Sequence, residues 1–134
     1  MPDEQEFSTR LENEADEEFS SGRTNNVSDI VCSVGAILAS FAATVLAATG
    51  RTAWITAAVA AIPGALASLQ RVVDFRGRAS WYFVCAAQRR AFVRALEYEG
   101  ASPKEVSLRV SEFEIEMEQQ WARMIKSSPT GASK

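Results

Sequence analysis

Two apolar runs interrupt an otherwise polar chain. Residues 30–50 carry no charge over 21 positions, residues 52–70 carry none over 19, and only Arg51 separates them. As helices rising about 1.5 Å per residue, each run would be roughly 28–32 Å long, close to the hydrocarbon thickness of a bilayer. The pattern predicts an all-α protein whose residues 27–75 form a two-helix transmembrane hairpin. The connection at 49–52 is short, which makes the two helices antiparallel neighbours.

Within the first run the small polar positions separate from the bulky ones. Asp29, Ser33, Ala36, Ser40, Thr44 and Ala47 share one helical face, and Ile30, Val34, Ile37, Phe41 and Val45 lie roughly opposite. In lipid the bulky face meets acyl chains, and the small polar face meets another helix or water. Two readings of Ser33, Ser40 and Thr44 stay open. They form a packing seam where small residues let backbones approach, or they line a water-filled conduit. Two spanning helices cannot enclose a pore, so the conduit requires a homo-oligomer. Asp29 at the membrane edge either complements the helix macrodipole or belongs to an acidic ring at a cation pore mouth.

The second run is rich in alanine and holds Ile62-Pro63-Gly64 in its middle, which predicts a kink. The first run has eight Leu, Ile, Val or Phe residues, together contributing roughly -2.4 to -4.8 kcal/mol to insertion. The second has five, hence about -1.5 to -3 kcal/mol before proline and glycine subtract. The second span therefore needs help from the first or from other subunits.

Beyond Gln70 the helical pattern runs on, with Gly77 as the place where the junction loosens. Trp81, Cys85, Phe92 and Leu96 form a stripe that ends near Gly100. Trp81 and Tyr82 stand where amphipathic aromatics anchor a membrane interface. Ser102-Pro103-Lys104-Glu105 then has the composition of a capping box with proline at the first helical position. Val106, Val110, Phe113, Met117, Trp121 and Met124 follow at spacings of four and three, one apolar stripe on a charged helix. The two amphipathic segments over 76–126 are expected to fold back on each other as a cytoplasmic pair. Phe92, Leu96, Val106, Val110, Phe113, Met117 and Trp121 would pack between them. Residues 127–134 read as a disordered tail.

The acidic N-terminal segment, residues 1–26, is either a helix or a disordered tail. Phe7, Leu11, Ala15 and Phe19 recur every fourth position, which suits a helix docking on the basic segment. Its last residues, 20–26, have the composition of a flexible linker.

Charge sharpens this picture. The net charge of -3 conceals blocks: residues 1–20 hold eight acidic residues against Arg10, residues 71–94 hold six arginines against Asp74, and residues 97–118 hold seven glutamates. Alternating blocks favour pairing within or between subunits over nucleic-acid binding. Arg71, Arg76 and Arg78 after the second run, against Arg51 alone in the connection, place both termini in the cytoplasm by the positive-inside rule. The location expected is the bacterial inner (plasma) membrane, multi-pass, with the lipid bilayer as a partner. The acidic start is unlike a secretory signal. With no histidine, and with Cys32 and Cys85 at no ligand spacing, no metal, cofactor or catalytic residue is expected, and no enzyme motif is present.

The hairpin, the junction Leu69-Gln70-Arg71-Val72-Val73-Asp74-Phe75, the segment from Trp81-Tyr82 to Leu96-Glu97-Tyr98, and a last helix carrying Phe113 through Trp121 resemble the SLATT family. These are two-transmembrane effector domains associated with SMODS and SLOG proteins in bacteria, and the resemblance covers about residues 25–125. It implies an oligomeric pore-forming effector, switched by a nucleotide-sensing or nucleotide-synthesising partner protein during conflict with phage. A non-conducting membrane scaffold that recruits a partner through its cytoplasmic helices is the alternative. A holin-like lysis protein and a soluble helical bundle are further readings. The roughly fifty-residue cytoplasmic pair weighs against the first of these, and extraction without detergent would favour the second.

Overall fold

The computed structural model describes residues 4–50 and 52–127, and every regular element among them is helical. Four helices follow in order: α1 (Glu4–Ala48), α2 (Ala53–Val73), α3 (Phe75–Glu97) and α4 (Pro103–Ser127). Two compact units result. One holds the described residues up to Thr24 and from Gly77 onward, and the other is Asn25–Arg76. Of the expected tail, Ser127 belongs to α4, and residues 128–134, like residue 51, lie outside the described residues.

The first unit is built on the stripes visible in the sequence. Leu11 and Ala15 of α1 are buried, as are Phe92, Val93 and Leu96 of α3 and Val106, Val110, Phe113 and Met117 of α4. Most of these join one hydrophobic cluster, against which Phe7, Trp81 and Ala101 pack. Burying such side chains contributes about 1.5–3 kcal/mol each. The core thus draws on three helical segments, not only on the pair 76–126. The acidic N-terminal segment takes the helical alternative because Leu11 and Ala15 have a core to enter.

Residues 20–26, expected to be a linker, are part of α1. Gly22 explains the difference. It is buried, and a Cβ there would meet the Phe83 ring at 3.0 Å. The glycine lets an aromatic ring approach the helix closely and does not serve as a hinge. Thr24 back-bonds to the Ser20 carbonyl at 3.0 Å, which satisfies its hydroxyl inside the helix.

The end of α3 and the start of α4 follow local chemistry. Gly100 adopts φ +69°, the left-handed region that glycine enters without steric cost, and the chain reverses toward Ser102. Ser102 Oγ accepts the Glu105 backbone N–H at 3.3 Å. Glu105 turns its carboxylate to Arg109 at 2.9 Å. The forward bond of the expected capping box is therefore present, and its acidic partner serves an i,i+4 ion pair.

In the second unit the C-terminal part of α1 accompanies α2. The helix continues through Pro63 from Ala53 to Val73. It ends at Asp74, which adopts φ 48° and returns its N–H to the Gln70 carbonyl at 2.9 Å. The helical pattern expected to run on past Gln70 is thus interrupted at Asp74, three residues before the loosening expected at Gly77. Asp74 can hold this break because aspartate tolerates the left-handed conformation better than most residues. Gly35 comes close to Leu66, whose Cδ1 lies 3.3 Å from the place a Cβ would occupy. Gln70 meets Asp29, so contacts run in opposite directions along the two segments.

Candidate functional site

Half-buried positions in the Asn25–Arg76 unit define its internal seam. On α1 they include Asp29, Cys32, Ala36, Ala39, Ala43 and Leu46; on α2 they include Thr56, Val59, Pro63, Leu66, Gln70 and Val73. Both sets advance by alternating threes and fours, the 3.5-residue repeat of two helices that stay in register along a seam. The small polar face read from the sequence splits on this repeat. Asp29, Ser33 and Ala36 are half-buried, whereas Ser40, Thr44 and Ala47 are exposed. A line drawn at 3.6 residues per turn drifts away from a 3.5-residue seam, so Ala39 and Ala43 take the places expected of Ser40 and Thr44. The exposed hydroxyls are satisfied locally: Ser40 donates to the Ala36 carbonyl at 2.9 Å and Thr44 to the Ser40 carbonyl at 3.0 Å.

One polar clamp closes an end of this seam. Gln70 Nε2 donates toward the Asp29 carbonyl at 3.0 Å, Asp29 Oδ1 at 3.0 Å and Ser33 Oγ at 2.9 Å. Three acceptors share two N–H groups, which fixes the register of one segment against the other. In the sequence Gln70 is marked only as an amide that closes an apolar run. Replacing Gln70 by leucine is expected to weaken the association by about 1 kcal/mol, the scale of hydrogen bonds between helices in lipid. Denaturant titration in detergent micelles measures this.

Outside the seam the apolar surface lies open. Ile37, Leu38, Phe41 and Trp54 are 62–71 % exposed, and α2 has no buried residue at all. Two helices are long and apolar enough to cross a membrane, and only 6 % and 0 % of their apolar stretches are buried. A core helix of a water-soluble bundle would show the reverse.

The other unit carries an electrostatic hub at Arg89. Its guanidinium contacts Glu14 at 2.6 Å, Glu18 at 3.0 Å and Glu114 at 3.5 Å. Nearby, Arg90 reaches Asp16 at 2.9 Å. Among the described residues, the ion pairs of the basic segment thus run chiefly to the acidic N-terminal helix, through Arg89 and Arg90, and Arg89 also reaches Glu114 of α4. The i,i+4 spacing of Glu14 and Glu18 was the legible signal for this fork. Burial opposes the charge on Arg89, but the hydrogen bond and attraction from Glu18 outweigh it and raise the guanidinium pKa. Burial also raises Glu18, against the pull of Arg89.

Aromatic side chains gather beside this hub. Trp81 packs on Tyr82 with centroids 5.0 Å apart and on Trp121 at 4.9 Å. Arg78 stands over the Trp121 ring at 5.6 Å, within cation–π range. Trp81, Tyr82 and Trp121 are thus half-buried against each other. Farther along, Phe92 meets Phe113 edge-on at 5.8 Å. Phe19, the last of the N-terminal stripe, meets the Phe83 ring at a tilt of 56° with centroids 5.4 Å apart, and the Arg90 guanidinium stands 5.0 Å from the Phe19 centroid.

Cys85 lies in the same core and directs its thiol at the Met117 sulfur, 3.4 Å away. Burial pushes its pKa up to about 11. At pH 8 roughly one molecule in a thousand would then carry the thiolate that reacts with maleimides. Cys85 is expected to resist maleimide at pH 8 in the folded protein and to react within minutes once it is denatured, as read by mass spectrometry. Among the described residues no group of three or more His, Cys, Asp or Glu could hold a metal ion.

Fold and surface together define an all-helical chain with two candidate membrane-spanning helices and a separate, charge-paired helical unit. No protein-family model, curated protein or solved structure matches this chain.

Proposed function

We propose that this protein is an oligomeric membrane effector. Residues 30–70 cross the bacterial inner membrane twice as a helical hairpin, with both termini in the cytoplasm. The unit formed by residues up to 24 and from 77 onward holds copies together and responds to a partner. Copies surround a pore or disrupt the membrane in a nucleotide-signalled conflict with phage, as the resemblance to SLATT effectors implies. No catalytic role is assigned to any residue, and the nucleotide is sensed or made by the partner protein.

The observation that carries this reading is the unburied apolar surface of the Asn25–Arg76 unit, with Ile37, Leu38, Phe41 and Trp54 left open. Large apolar areas are covered by lipid or by other chains in a stable protein. Ser40 and Thr44 supply a polar strip on that surface, free of the internal seam and available to face other copies. Ion flux from liposomes containing the purified protein and its partner tests the reading. Ser40→Leu or Thr44→Leu is expected to reduce flux at least tenfold while the oligomer survives. An assembled wild-type oligomer that never conducts would contradict a pore.

A non-conducting scaffold is the second reading. It is favoured by one specific observation: the hydroxyls of Ser40 and Thr44 are already bonded to their own helix and need no water. In that case the same substitutions change assembly or nothing, and no flux appears with either protein.

A further inference from the structure

Two arginines, Arg71 and Arg76, follow the Gln70 clamp within the Asn25–Arg76 unit. Both are exposed. The arginines of the other unit's hub are placed differently, since Arg89 and Arg90 are held by Glu14, Glu18 and Asp16. No carboxylate among the described residues lies within ion-pair distance of Arg71 or Arg76. Asp29 already accepts a hydrogen bond from Gln70, and Asp74 forms the turn that ends α2. Two guanidinium groups are therefore left to the surroundings by a unit whose remaining surface is largely apolar.

Position decides which anion meets them. The clamp joins Asp29, just before the first apolar run, to Gln70, the last residue of the second. Both runs thus end at one level, and Arg71 is the first residue past it. At about 1.5 Å per helical residue, residues 71–76 advance roughly 9 Å. The headgroup layer on each side of the hydrocarbon is roughly 5–8 Å deep, so both arginines fall within its reach. Leu69 and Val72, which flank Arg71, are 44 % and 49 % exposed. A soluble acidic peptide would leave these aliphatic groups in water. A phospholipid covers them with its upper methylenes while its phosphate meets the guanidinium. Both groups are arginine, whose planar fork matches two oxygens of a phosphate.

We propose that Arg71 and Arg76 bind the headgroup phosphates of anionic phospholipids in the leaflet that adjoins the Gln70 end of the hairpin. The inference rests on the double crossing proposed above and not on conductance.

The test reconstitutes the full-length protein in phosphatidylcholine vesicles carrying a trace of spin-labelled phosphatidylglycerol or spin-labelled phosphatidylcholine. Both leaflets have the same composition, so orientation does not enter. Electron spin resonance reads the share of each labelled lipid immobilised at the protein. A roughly fivefold preference at each arginine, averaged over all lipid contacts, should favour phosphatidylglycerol about twofold or more. High salt should shrink the preference. Arg71→Gln combined with Arg76→Gln is expected to bring it to about one, and the corresponding lysine pair to keep part of it. Arg94→Gln, at an exposed arginine of the other unit, should leave it unchanged. Circular dichroism verifies that the variants stay helical. Failure of the protein to float with the vesicles would contradict the crossing itself, and this inference with it. Flotation with equal contact of the two lipids, or a preference that survives in the double glutamine variant, would overturn this inference alone. Equal contact together with an oligomer that dissociates in that variant would show carboxylates of another copy holding the arginines, and overturns it as well.

Discussion

Arginine in place of Ala61 is expected to move the C-terminal helices to the opposite side of the membrane. Ala61 lies in the middle of the second apolar run and is exposed. That run has five strongly apolar side chains, worth about -1.5 to -3 kcal/mol toward insertion. One arginine at the centre of a span costs about 2.5–3.5 kcal/mol, which cancels or reverses this sum. The first run, at roughly -2.4 to -4.8 kcal/mol, still inserts. The variant would then cross once, leaving its N-terminus in the cytoplasm and carrying residues 75–127 outward. A reporter fused after residue 134 measures the change: a periplasm-active phosphatase should switch on in the variant and stay silent in the wild type. A silent reporter in both would show that the second run inserts with more help than its own composition provides.

Arg89→Met is expected to cost the charge-paired unit about 3 kcal/mol, since it leaves carboxylates in place without their cation. The side chains of Arg89 and Glu18 are only 13 % and 18 % exposed, so water screens the loss poorly. At a few degrees per kcal/mol the melting temperature should fall by about 12 °C or more. The dependence on pH follows from Glu18. Its folded pKa is raised, with burial as the main cause, above the ordinary value of 4.5. A raised acid favours the folded state fully below that ordinary value, and this contribution is lost as pH rises through the folded pKa. In Arg89→Met the opposing pull of the guanidinium is gone, so the raise grows. The variant should recover part of its stability as the pH is lowered from 7 toward 4.5. Arg89→Lys, which keeps a charge and loses the fork, should lie between the two. Thermal melts followed by circular dichroism at pH 7 and pH 5 provide the check.

Much of the helical unit was legible because its apolar residues follow a helical period. Val106, Val110, Phe113 and Met117 are buried as their spacing requires, and so are Phe92 and Leu96. Leu11 and Ala15 also announced themselves, although composition alone left residues 1–26 open between helix and disorder. The choice depended on a groove that only α3 and α4 together create. Gly22 was misleading for a related reason: the sequence shows a glycine in a polar stretch, and the Phe83 ring that requires it lies sixty-one positions away.

The polar face of the first apolar run was legible only in part. Asp29 and Ser33 meet α2 through Gln70, as a seam would. Ser40 and Thr44 do not, because packed helices follow a 3.5-residue repeat and the face was traced at 3.6. Arg89 could be recognised as one of a basic block, but its choice of Glu14 and Glu18 over most glutamates of α4 depends on which helix packs beside it. Trp81 and Tyr82 read as membrane anchors from their position after the second run; their rings pack on each other, and Trp81 also packs on Trp121.

The side of the membrane on which residue 51 lies is the most direct test of the whole account. Arg51→Cys in intact cells should react with a membrane-impermeant maleimide added from outside, while tags at both chain ends become accessible only after the membrane is opened. Labelling of position 51 and both ends from one side, or recovery of the protein from lysate in plain buffer without detergent, would contradict a chain that crosses lipid twice.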